Sequence, residues 1–67
     1  MMHEIPLSKN EFEVLRLVNA GLSNQEIAET LRMSLGTTKW HMHQVLRKLA
    51  VRNRTAAAAK ARSLGLL

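Results

Sequence analysis

The chain has no cysteine and no tyrosine, and only one tryptophan, one phenylalanine and one proline. Without cysteine it can build neither a disulfide framework nor a thiolate metal site, which fits a reducing cytoplasm. No apolar run approaches the roughly 18 residues that a membrane span needs. The opening MMHEIPLSK lacks the basic and apolar regions of a secretory signal. Size is scarce too. The 67 residues make one small domain, and a chain of that length buries only about 60% of its unfolded surface. It is too short for a substrate pocket, and no nucleophile, base and orienting group can be assembled from it. Neither catalysis nor a cofactor is expected.

Negative charge is missing from half the chain. The five acids, Glu4, Glu11, Glu13, Glu26 and Glu29, all precede Thr30. After it come Arg32, Lys39, Arg47, Lys48, Arg52, Arg54, Lys60 and Arg62, eight cations with no acid among them, so that half carries +8. Such a block points to a polyanionic partner, either nucleic acid or an acidic membrane surface.

What is present is a set of helix signals. Ser8 and Glu11 form a Ser-x-x-Glu capping box, in which the hydroxyl takes a first-turn amide and the carboxylate reaches back to the cap. They predict a helix over 9–20, with Val14, Leu15, Leu17 and Val18 as its apolar face and Gly21 as the left-handed residue that ends it. Ser23 and Glu26 repeat the device and start a helix over 24–31, with Ile27 and Leu31 inward and Ala28 small enough for a close helix crossing. Glu11 and Glu26 are therefore caps and not catalytic acids. Arg32 and Met33 form a turn that Met33 plugs from inside. Ser34 caps a third helix over 35–50, and Asn53 a fourth over 54–64, closed by Gly65. The run Ala56–Ala59 has high helix propensity, and its small side chains permit close packing on the first helix or on a second copy. There is no strand signal, repeat or internal linker. Residues 1–6 read as a flexible lead-in that Pro6 closes.

The third helix carries two incompatible faces. At roughly 100° per residue, Thr38, Met42, Val45, Leu46 and Leu49 gather on one side. Gly36, Lys39, Trp40, His43 and Arg47 fall on the other, with the indole almost opposite the apolar centre. A core needs one side only, so a solvent-facing Trp among cations calls for an external surface such as the DNA major groove. There Lys39 can donate to guanine, His43 can donate or accept, and Trp40 offers an apolar face and one N–H. Gly36 leaves the start of the helix bare. His41 and His43 point to different sides and lack a third ligand, so no metal site is expected; His41 reads as a packing residue, and Met33 and Met42 as core fillers.

Leu15, Gly21-Leu22-Ser23-Asn24, Glu26-Ile27-Ala28, Ser34, Thr37, Lys39, His41, Lys48-Leu49, Val51, Asn53-Arg54 and Ala61, taken together, resemble the LuxR/FixJ-type (GerE-like) helix-turn-helix domain across Leu7 to Leu67. Lys39-Trp40-His41 and the ending Ala61 to Leu67 lean toward the MalT-like large regulators, in which such a domain ends a longer chain. The resemblance implies an all-α fold: a four-helix bundle without a wing, its second and third helices forming the helix-turn-helix. It implies sequence-specific binding of double-stranded DNA in the cytoplasm as the output of a bacterial transcription regulator, with RNA polymerase a further candidate partner. By position, Lys39, Trp40 and His43 would read bases. Ser23, Asn24 and Thr37, with Arg47, Lys48, Arg52 and Arg54, would hold the phosphate backbone. The fourth helix would pair two copies through Ala57, Ala58, Ala61 and Leu64.

Three residues depart from the family pattern. Thr38 stands where Val is usual and can bond back to a carbonyl one turn earlier. Asn10 replaces an Arg, removing any ion pair made there. Phe12 occupies a commonly exposed position and offers a contact to another domain. Three other readings remain at this point: a protein-interaction module using Phe12 and the Ala-rich helix, a membrane-surface helix, and a promoter-reading domain like that of sigma factors. The second requires a free apolar stripe, whereas four capped helices with matching stripes imply that it is buried.

Overall fold

A computed structural model of the protein describes residues 6–67. The lead-in expected at 1–6 therefore lies, Pro6 apart, outside the described residues. Four helices follow: α1 Lys9–Asn19, α2 Asn24–Leu31, α3 Leu35–Leu49 and α4 Arg54–Ser63, with no strand among the described residues.

Each helix begins as its cap dictates. Ser8, Ser23, Ser34 and Asn53 are all extended, and each side chain accepts the amide three residues on. Both capping boxes close: Glu11 and Glu26 each accept their cap's N–H at 2.8 Å. The helix ends are also uniform. In every case two amides fold back in the Schellman pattern, as in Leu22 N–H to Leu17 O at 3.1 Å and Met33 N–H to Ala28 O at 3.0 Å. The left-handed residue of the motif is Gly21, Arg32, Ala50 and Gly65 in turn, with φ of 93°, 57°, 57° and 74°. Three helices stop one residue short of expectation, at Asn19, Leu49 and Ser63. For α3 the cause is direct, since Ala50 is itself left-handed and cannot continue the helix.

The residues after these left-handed positions explain the wrapping. Leu22, Val51 and Leu66 turn back and pack on the core, the apolar contact that accompanies this motif. Met33 holds the equivalent place but is only partly buried and lies outside the core cluster, so it does not plug the turn as expected. The core is formed by α1 packed on α3 and α4, with α2 crossing α3. Val14, Leu15, Ile27 and Val45 are fully buried, and Ala28 permits the crossing. Thr38 is fully buried as well, its hydroxyl donating to Ser34 O at 3.0 Å, so the polar atom on the core face is satisfied.

One sequence expectation fails here. Of the four residues assigned to pairing two copies, Ala57 and Ala61 are fully buried and Ala58 is 7% exposed. They form the stripe by which α4 seals the bundle. Their methyls are used inside the domain. Only Leu64, 46% exposed, stays on the surface. The reason is economy of apolar surface. Helix α4 owns little besides these methyls, and so small a domain needs them inside.

A left-handed conformation strains any residue with a Cβ. Replacing Ala50 by Gly should therefore raise stability by about 0.5–1 kcal/mol, or a few degrees in melting temperature. Thermal unfolding followed by circular dichroism measures this; a lower melting temperature would refute the strain.

Candidate nucleic-acid interface

Burying Thr38, Met42, Val45 and Leu49 fixes the rotation of α3 about its axis and so fixes what faces out. Gly36, Lys39, Trp40, His43 and Arg47 are all exposed. Trp40 is 58% exposed, the most open large apolar side chain among the described residues. Its ring meets the half-buried His41 edge-on, with centroids 5.2 Å apart and planes at 71°. His41 thus supports the indole from the core margin, as expected of a packing residue. Lys39 and His43 make no side-chain hydrogen bond or ion pair among the described residues. Arg47 is held by its neighbour Gln44, whose Oε1 accepts from Nε at 3.2 Å and Nη2 at 2.6 Å.

The cations expected at phosphates divide into two groups. Arg47 and Arg52 are exposed. Lys48 and Arg54 turn inward. The Lys48 ammonium donates to Glu11 at 2.7 Å and to Pro6 O at 2.9 Å, and only 22% of its side chain is exposed. Arg54 donates to Asn24 Oδ1 at 2.9 Å and to Leu22 O, tying the start of α4 to the start of α2. In the free domain both side chains therefore act as braces between helices. Of the eight cations after Thr30, only Lys48 has a carboxylate partner among the described residues, so the positive field is almost uncancelled.

Ser23, Asn24 and Thr37 stand at the first turns of α2 and α3. The Ser23 oxygen accepts from Glu26 N–H, and the Asn24 carbonyl oxygen from Arg54. Thr37 Oγ1 accepts from Ser34 Oγ at 2.9 Å, leaving its own proton to donate outward. Two surface residues escaped the sequence reading. Leu35 is 41% exposed, one turn before Lys39. Gln44 positions Arg47 at a spacing of three, and that spacing was the available signal. No group of three His, Asp or Glu gathers as a metal site among the described residues, and no described helix is long and apolar enough to cross a membrane.

A short helix and a longer one at a tight turn, the second presenting a basic, aromatic face, make a helix-turn-helix. The family described as bacterial regulatory proteins of the luxR type matches residues 5–61. The chain belongs to the luxR family. It is 48% identical over 54 residues to the transcriptional regulatory protein LnrK of Bacillus subtilis (81% of this chain, 24% of that protein). It is 40% identical over 57 residues to the HTH-type transcriptional regulator AlkS of Alcanivorax borkumensis (85% of this chain, 6% of that protein). The crystal structure of the response regulator ChrA, of a heme-sensing two-component system, superposes with a TM-score of 0.89 at 39% identity, over 98% of this chain and 33% of that one. The chain thus spans about a quarter of LnrK and a small part of AlkS. The all-α helix-turn-helix fold and the family are those the resemblance implied.

In this luxR-family domain one part-buried ion pair, Lys48–Glu11, ties the last turn of α3 to the first turn of α1. Burial alone would raise the Glu11 carboxyl. Hydrogen bonds from Lys48 and Ser8, with the ammonium's charge, outweigh it and hold the group below the ordinary carboxylate range. A folded-state value below the unfolded one means that the pair stabilises above the carboxylate range and that its contribution is lost as pH falls through it. Glu11→Gln should cost about 1–3 kcal/mol at neutral pH by leaving the part-buried Lys48 without its anion, and should flatten the acid limb of stability. Urea midpoints at neutral and acid pH measure both; parallel loss in variant and wild type would contradict the pairing.

Proposed function

We propose that α3 lies in the major groove of double-stranded DNA, with Lys39, Trp40 and His43 at base edges. Ser23, Asn24, Thr37, Arg47 and Arg52 hold the phosphates, while Lys48 and Arg54 brace the helices that carry them. The observation that carries this reading is the uncovered indole at the centre of a cationic face. No apolar partner inside the domain accounts for it, and an interaction module leaves it unexplained. A membrane-surface helix requires a free apolar stripe, and here the stripes are buried.

The domain performs no chemistry of its own in this reading and works in the cytoplasm, where it delivers a regulator's signal to promoters and RNA polymerase. One α3 reads few bases, so two copies bind half-sites about one helical turn apart. With the alanines of α4 inside, their contact falls to the exposed outer side of that helix and Leu64. Phosphate contacts supply most of the affinity and make it steeply salt-dependent, by about 0.9 log units per neutralised phosphate.

Lys39→Ala and Trp40→Ala should each weaken binding to a selected duplex about tenfold or more, with little change in melting temperature because both side chains are outside the core. Arg52→Ala should weaken all duplexes alike and lower the salt slope by about one unit. Fluorescence anisotropy across a salt series reads these effects. Undiminished affinity in both α3 variants would reject the reading face.

A further inference from the structure

The domain has three glycines, and the fold explains two of them. Gly21 and Gly65 have φ of 93° and 74°, a region in which any side chain is strained. Gly36 does not. It sits in the first turn of α3, its φ is not positive, and it is exposed. A Cβ built there would meet nothing nearer than Ser34 Oγ at 3.9 Å. Neither backbone conformation nor internal packing asks for the missing side chain, and a glycine weakens a helix relative to alanine. The need for it lies outside the molecule.

Gly36 is one turn before Trp40 and on the same face, opposite the buried stripe of Val45 and Leu49. With no side chain at 36 and an exposed indole one turn on, the helix backbone is left bare beside the ring, which leaves room for a notch between them. Lys39 stands three residues on, beside it. From the geometry we infer that Gly36 is a specificity-determining position: the notch receives the C5-methyl group of a thymine in the major groove, with the indole packed against that methyl. The inference rests on the major-groove reading above and names what that surface selects. Only thymine among the four bases carries a methyl there, and apolar contact is how proteins recognise it. A side chain at position 36 would occupy the methyl's place and hold the helix away from the base edge.

The test uses the 67-residue chain and a duplex that it enriches from a random DNA pool. Each thymine is replaced in turn by deoxyuridine, which removes the methyl and leaves every hydrogen-bonding group. The wild type should lose about fourfold in affinity at one thymine, the worth of one buried methyl. Gly36→Ala should bind the parent duplex at least about fivefold more weakly, show no loss with deoxyuridine at that thymine, and melt no lower than wild type. Indifference of the wild type to every deoxyuridine, or full affinity of Gly36→Ala, would overturn the inference while leaving DNA reading intact. If the wild type enriches no duplex at all, the DNA reading falls and takes this inference with it.

Discussion

The rotation of α3 about its own axis governs this molecule. Thr38, Met42, Val45 and Leu49 must lie inside, and a helix has only one angular setting that puts all four there. Everything on the opposite arc is then committed to solvent, Trp40 and its cations included. The remaining helices exist, in physical terms, to enforce this setting. Helices α1 and α4 supply the floor, and α2 crosses close at Ala28. The Glu11–Lys48 pair joins the start of α1 to the last turn of α3, a separation of 37 residues.

Much of this was legible because the signals were local. Four caps, two of them with a glutamate three residues on, announced four helix starts, and each holds. The two-faced pattern of α3 needed only its periodicity. Even the Thr38 hydroxyl could be given a partner, since the carbonyl of Ser34 is one turn back along the same helix. The family resemblance reached the fold and the class of function by position alone.

What escaped was long-range or unsignalled by residue type. Lys48 and Arg54 read as surface cations because nothing local ties them to Glu11, Pro6, Asn24 or Leu22; those partners are 30 or more residues away. The left-handed turns at Arg32 and Ala50 carry no glycine, so neither residue advertised its conformation. The alanines of α4 suited a dimer seam and a core equally well. Only assembly showed that the domain needed them for itself.

These strands meet in one physical picture: a basic bundle too small to waste apolar surface nonetheless leaves its largest aromatic ring uncovered. Because Trp40 is the chain's only tryptophan, its fluorescence reports on that ring without labels. A ring open to solvent and then covered by DNA should give water-like, red-shifted emission that iodide quenches readily in the free protein, and strong protection from iodide once the domain is saturated with a selected duplex. Blue-shifted, unquenchable emission in the free protein, or an indole still open to iodide on DNA, would contradict it.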